Sequence, residues 1–233
     1  MPVGYIGQQS LYSSTELIGD PKDWRNSGVM LDVGCGIGTF ALYICERFSN
    51  LCAVGIDKDP DAIGGATEAA KTLGLDARVR FELRDMDELV IDRNYDAIIS
   101  IDAIQHARLP ICMISTLLGS WSRHGPFRVS AWCFSETQSG RALACRWGCD
   151  NALPREAYEQ AQFSNKWPVE TVDTTSVFEI RSRHSLESLL EIEAPFRRVF
   201  GDRVFEERLS LEQDTVLAIQ AGIIGQLHVT SKS

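Results

Sequence analysis

Short apolar runs alternate with amphipathic stretches along the first half of the chain. Val29-Met30-Leu31-Asp32-Val33 ends at a glycine-rich turn, Gly34-Cys35-Gly36-Ile37-Gly38. Residues 39–48 follow with Phe40, Ile44 and Phe48 four apart, the spacing of one helix face. Cys52-Ala53-Val54-Gly55-Ile56-Asp57 is a second apolar run, again closed by a carboxylate. Asp59-Pro60 predicts a helix start, with Asp59 as N-cap and Pro60 in the first helical position, running to Leu73 before Gly74. Residues 79–83 alternate as a strand and lead into Arg84-Asp85-Met86. Residues 95–101 predict a fourth strand, 109–121 a helix and 127–134 a fifth strand. Strands alternating with helices in this way predict βαβ crossovers and a largely parallel sheet buried on both faces.

The rhythm changes after residue 135. Residues 136–177 hold Trp147, Tyr158, Phe163 and Trp167 without a clear period, with Pro154 and Pro168 as breakers. A stretch this short rarely holds a core alone, so it reads as an insertion that caps the sheet. Residues 185–196 predict a helix capped by Ser185. Residues 204–209 and 215–219 predict two strands joined by residues 210–214, a link short enough only for a hairpin, which makes the last strand antiparallel. The expected fold is a single α/β domain: a Rossmann-like, doubly wound, seven-stranded sheet, mostly parallel with the last strand antiparallel, plus a small cap. Its expected parts are an N-terminal arm (1–28), a core (29–135), a cap insertion (136–184) and a C-terminal helix and hairpin (185–233).

Composition narrows the function. Of 233 residues, 44% are hydrophobic and 24% charged, enough to fill a core and to exclude global disorder. The net charge of −9 repels polyphosphate, and the basic pair Arg197-Arg198 is interleaved with Glu and apolar residues. Nucleic-acid and anionic-membrane partners are therefore not expected. The seven cysteines are scattered without a CxxC pair, and Cys145 and Cys149 lack a partner pair at ligand spacing. Reduced, buried thiols and no metal site are expected. The first ten residues lack the pattern of a secretory signal, and the apolar stretch 216–227 is interrupted by Gln220 and too short to span a membrane. The expectation is a cytoplasmic protein.

The chemistry concentrates at strand ends. Gly34 and Gly36 let a backbone turn approach a ligand without Cβ clashes, at the edge where open α/β sheets bind ligands. Asp57 closes the next strand, 19 residues after Gly38, where a carboxylate can accept both hydroxyls of a ribose. Asp85 closes the third strand. The glycines alone leave a dinucleotide open. Counted from Gly34 the third glycine is replaced by Thr39, but Gly36-x-Gly38-x-x-Ala41 meets the looser pattern. Asp32 argues against it, because a carboxylate repels a pyrophosphate and attracts an ammonium.

These segments, with Tyr95-Asp-Ala-Ile-Ile-Ser-Ile-Asp102, resemble the class I S-adenosylmethionine-dependent methyltransferases, and within them the small-molecule branch of ubiquinone/menaquinone-biosynthesis and natural-product enzymes. The resemblance covers residues 29–134 strongly and 185–221 loosely. It implies S-adenosylmethionine as cofactor, S-adenosylhomocysteine as product, and a set of roles. Gly34 and Gly36, with Cys35 between them, would line the methionine moiety, and Asp32 would hold its ammonium. Asp57 would take the ribose hydroxyls and Lys58 the adenine edge. Asp85 would accept from the adenine amino group and the Met86 N–H would meet a ring nitrogen. Ile101 and Asp102 would border the transferring methyl. His106 matches a position where the family often has His. It would either take a proton from the acceptor or only pack and hydrogen-bond, and both readings stay open.

Gln105, Trp132 and Phe134 are the expected walls of an acceptor pocket, Trp147 and Tyr158 part of its lid, and Tyr12 of the arm a second cover. The partner is a small-molecule acceptor, its methylated atom N, O or C, and the protein a monomer or homodimer. Asp102-Ala-Ile-Gln105 differs from the Asn-Pro-Pro-Tyr type of tetrapeptide, which argues against planar-amide targets. Three other readings stand: a non-methylating, cyclase-like enzyme retaining the cofactor, a nicotinamide oxidoreductase, disfavoured by Thr39 and Asp32, and a non-catalytic binding subunit that keeps the core without the acceptor wall.

Overall fold

The computed structural model describes Trp24, residues 28–91 and residues 93–232. Tyr12 and most of the expected arm lie outside the described residues. Seven strands form one sheet: β1 (Gly28–Val33), β2 (Leu51–Asp57), β3 (Val79–Leu83), β4 (Ala97–Ser100), β5 (Phe127–Phe134), β6 (Val169–Asp173) and β7 (Ile224–Ser231). Their order is β3-β2-β1-β4-β5-β7-β6. The first five pair in parallel, and β7 runs antiparallel to both β5 and β6. The helices are α1 (Thr39–Arg47), α2 (Pro60–Thr72), α3 (Pro110–Gly119), α4 (Gln138–Arg146), α5 (Arg155–Gln160), α6 (Thr175–Glu191), α7 (Glu193–Phe200) and α8 (Asp202–Gln220). Among the described residues no helix is long and apolar enough to cross a membrane.

Alternation along the central strands fills both faces of the sheet. Leu31, Val33, Ile98 and Val129 pack with Ile114, Leu117 and Leu118 of and around α3 in one apolar cluster. Met30, Ala97 and Ile99 pack with Phe40, Ala41 and Ile44 of α1 in another. Each fully buried aliphatic side chain contributes about 1.5–3 kcal/mol relative to exposure. The start of α2 is as expected: Pro60 takes the first helical position and the Asp59 carboxylate accepts from the backbone N–H of Asp61 and Ala62.

The C-terminal third differs from expectation. Residues 204–209 and 215–219 are not a hairpin but parts of the single helix α8. Phe205, Glu212, Thr215, Val216 and Ile219 are buried at helical spacing, and Arg203–Glu207 and Arg208–Glu212 pair four residues apart along the same helix. The antiparallel partner of β5 is instead β7, with Ser130 opposite His228 and Trp132 opposite Gln226. The edge strand β6 falls inside the stretch read as a cap. The helix expected from Ser185 begins at Thr175 and breaks at Ile192, where Pro195 lacks an N–H and cannot continue the ladder.

Candidate functional site at the strand ends

β1 lies between β2 and β4, so the chain winds away from it in both directions and leaves a crevice at the carboxyl ends of the strands. The turn after β1 needs glycine at two points. Gly34 has φ +70, and a Cβ there would sit 2.3 Å from the Cβ of Ala103. Gly36 has φ +52 and nothing within 4 Å of a Cβ built on it, so its face is open. The turn is tied to β2. The N–H groups of Gly34 and Cys35 donate to the Ile56 carbonyl at 2.9 and 3.0 Å. The Gly36 N–H donates to Asp57 Oδ2 at 2.8 Å, and Asp57 Oδ1 accepts from the Asp59 N–H at 2.9 Å.

The turn borders a cleft of about 260 Å³. Of the residues expected at the site, Gly34, Asp57, Lys58, Asp85, Met86, Asp102 and His106 line it. Ile56, Arg84 and Ala103 line it too and were not expected; each adjoins an expected residue in the chain, which is the signal that points to them. The Asp85 carboxylate accepts from the Asp87 N–H and caps the single 3-10 turn Met86–Glu88. Asp87 accepts in turn from the Arg108 N–H, at 2.9 and 3.2 Å, which ties the loop after β3 to the loop after β4.

At the β4 end, Asp102 has φ +50, a left-handed conformation uncommon outside glycine. The single 3-10 turn Ile104–His106 follows and carries His106 to the cleft. Its Nδ1 lies 2.9 Å from the Gly148 carbonyl. A carbonyl only accepts, so Nδ1 is the donor, and in the neutral ring the lone pair is then on Nε2. The Cys149 sulfur stands 3.6 Å from Nδ1 and 3.8 Å from Nε2. Burial, then the charge of Asp150, pushes that thiol up to about 12, so it stays protonated.

Asp32 does not line the cleft. It is 3% exposed, and its Oδ2 finds no partner among the described residues. Burial first, then the charge of Asp57, pushes its carboxyl up to about 7, against a lowering bond from the Ala41 N–H. Cys35 turns its sulfur back toward Gly55 of β2, away from the cleft lining. Ile101 packs against the cluster under α1.

The expected acceptor walls are elsewhere. Gln105 is fully buried and spends its amide N–H on the Asp102 carbonyl at 2.7 Å. Trp132, Phe134 and Trp147 join Phe178, Ala218 and Ile219 in a third apolar cluster between the sheet and α6 and α8. The Trp132 ring meets Trp147 edge-on at 4.9 Å and stacks on Phe178 at 5.6 Å. Tyr158 is fully buried in the cluster that carries β1 and α3. Trp132, Phe134 and Trp147 are core because Phe178 of α6, which begins inside the segment read as a cap, and Ala218 and Ile219 of α8, beyond it, pack on them.

A glycine turn at a switch point, with acids at the end of β2 and just after β3, is the place where open α/β sheets bind ligands. The chain belongs to the methyltransferase domain family, whose profile matches residues 25–182. It is similar to phosphoethanolamine N-methyltransferase 1 of Arabidopsis thaliana, 30% identical over 133 residues, which is 57% of this chain and 26% of that one. It is also similar to ajmaline N-methyltransferase of Rauvolfia serpentina, 36% identical over 78 residues, 33% of this chain and 26% of that one. The chain thus spans about a quarter of the length of these curated relatives. Among solved structures it resembles phosphoethanolamine N-methyltransferase 2 of Haemonchus contortus in complex with S-adenosyl-L-methionine, with TM-score 0.82, 19% identity and coverage of 96% of this chain and 51% of that one. It also resembles the 4+2 cyclase SpnF, with TM-score 0.70, 18% identity and coverage of 95% and 80%.

Proposed function

We propose that the chain transfers a methyl group from S-adenosylmethionine to a small organic acceptor. The observation that carries this reading is the glycine turn after β1, whose Gly34 lines a cleft bordered by Asp57 and Asp85. The residues fit such a cofactor. The open face at Gly36 admits a ligand backbone-close, and each Asp57 oxygen, with one donor apiece, keeps a lone pair for a ribose hydroxyl. Asp57 and Lys58 would hold the ribose and adenine edge, Asp85 and Met86 the adenine, and Gly34 and Asp102 the methionine end. Asp32 would act from beneath the turn as the counter-charge of the ammonium. When bound, S-adenosylmethionine supplies a methyl carbon already activated by a positive sulfur.

His106 Nε2 would take the acceptor proton, held in that role by the Gly148 carbonyl on the opposite nitrogen. Most of the similar relatives are named for N-methyl transfer and others for O- or C-methyl transfer, which favours a nitrogen acceptor over oxygen or carbon. The exposed thiols of Cys112 and Cys145 support a reducing compartment. A second reading, a cyclase-like enzyme that keeps the cofactor, draws on the likeness to SpnF.

The test is calorimetry with S-adenosylhomocysteine, then incubation of metabolite extracts with methyl-labelled cofactor. Binding and a labelled product are expected. Binding without any labelled product favours the cyclase-like reading, and absence of binding removes the proposal.

A further inference from the structure

Asp102 stands at the β4 end of the cleft, across from the acids that follow β2 and β3. Its carboxylate is held from behind. The Ser130 hydroxyl donates to Oδ1 at 2.8 Å and accepts from the Asp102 N–H at 2.8 Å, closing a ring around the left-handed residue. The Gln226 amide donates to the same Oδ1 at 2.7 Å. Among the described residues no donor reaches Oδ2, and Asp102 lines the cleft. One oxygen is saturated by the fold and the other is left for whatever enters.

Gln226 cannot turn its amide around. It is fully buried on β7, and its Oε1 accepts from Arg181 of α6 and from Thr174 Oγ1, the latter at 3.2 Å. Arginine only donates, so the amide oxygen must face Arg181 and the NH2 must face Asp102. The main chain locks the same residue. The Thr174 N–H donates to the Gln226 carbonyl at 2.9 Å, and the Gln226 N–H donates to Thr175 Oγ1 at 3.1 Å. Arg181 is itself buried and lies 5.8 Å over the Phe178 ring. The C-terminal third of the chain thereby reaches through one amide to the wall of the cleft.

We infer that Gln226 is a positioning residue: by clamping Oδ1 of Asp102 it presents Oδ2 to the cleft as the counter-charge of a cationic centre at the transfer point. This rests on the proposed cofactor reading, in which the nucleoside lies toward Asp57 and Asp85 and the charged end toward Asp102. A carboxylate oxygen with a fixed direction attracts a cation more strongly than a swinging one, because no ordering is required when the ligand arrives.

Two ligands separate the charge from the rest of the cofactor: S-adenosylhomocysteine, with a neutral sulfur, and sinefungin, with an ammonium-bearing carbon at that place. Their affinities are measured by calorimetry for the full chain and its variants. Gln226→Leu is expected to lower the preference for sinefungin over S-adenosylhomocysteine by about 10-fold, the effect of misaligning one charge-assisted contact, while S-adenosylhomocysteine affinity stays within about 2-fold. Adding Gln226→Leu to Asp102→Asn is expected to cause no further change in that preference. Should Gln226→Leu fail to fold, Ser130→Ala removes the other Oδ1 donor and is expected to shift the preference the same way. Equal loss for both ligands, or an unchanged preference, assigns Gln226 a purely structural role and overturns the inference alone. Failure of the parent chain to bind either ligand overturns the cofactor reading and the inference together.

Discussion

The Gly36 N–H donates to Asp57 Oδ2 at 2.8 Å, so the carboxylate that ends β2 also shapes the turn that ends β1. One side chain therefore holds the backbone loop and faces the cleft. This coupling explains why a change at Asp57 acts on both. Asp57→Ala is expected to weaken S-adenosylhomocysteine binding by roughly 1–3 kcal/mol, the cost of unpaired hydroxyls, with a part of the loss from a loosened turn. Calorimetry decides it, and unchanged affinity would remove Asp57 from the nucleoside site.

His106 has one ring nitrogen fixed on the Gly148 carbonyl and borders the cleft. If Nε2 takes the acceptor proton, His106→Ala lowers the labelled-methyl transfer rate by about 100-fold or more. S-adenosylhomocysteine affinity changes little in the same variant. A parental rate leaves His106 only a packing role.

Asp32 carries a pH signature. Burial first, then the Asp57 charge, pushes its carboxyl from the ordinary 3.8 up to about 7 in the folded chain. Between those values the folded state holds a proton that the unfolded state has lost, so stability falls as pH rises through this window, and the penalty is complete above about 7. The limiting slope is about 1.4 kcal/mol per pH unit. Asp32→Asn keeps an acceptor for the Ala41 N–H but cannot ionise. Its melting temperature relative to the parent is expected to be higher at pH 8 than at pH 4, and thermal melts at the two pH values that give equal differences would contradict the buried acid.

Tyr158 was an expected acceptor residue and is a core one, its hydroxyl buried without a partner among the described residues. Removing an unsatisfied hydroxyl is neutral or favourable, within about 1 kcal/mol. Tyr158→Phe is expected to keep or raise the melting temperature and to leave methyl transfer unchanged. A selective loss of turnover in a stable protein would return Tyr158 to the site.

Much of the cleft was legible because its residues sit at the junctions of strongly patterned elements. Asp57 and Asp102 follow apolar runs, Asp85 follows an alternating one, and Gly34 and Gly36 mark a turn that needs left-handed backbone. The acceptor walls were not legible. Trp132 and Phe134 lie at the end of β5 and Trp147 just after α4, but nothing local distinguishes a pocket wall from a core filler. Phe178, Ala218 and Ile219, which cover them, come from helices many residues away. Residues 204–219 were misread because valines and phenylalanine in short runs suit a strand, while the deciding pattern, burial of Phe205, Glu212, Val216 and Ile219 on one face, needs a length longer than either run.

By itself the sequence determined the parallel half of the sheet, from β1 to β5, and the glycine turn with its acids, since each depends on neighbours within a few residues or on one crossover. Tertiary structure alone decided where β5 finds its antiparallel partner, because β7 lies about ninety residues on and pairs through backbone bonds that carry no local pattern. The same long-range pairing brings Gln226 behind Asp102 and turns a glutamine in a terminal strand into part of the cleft's support.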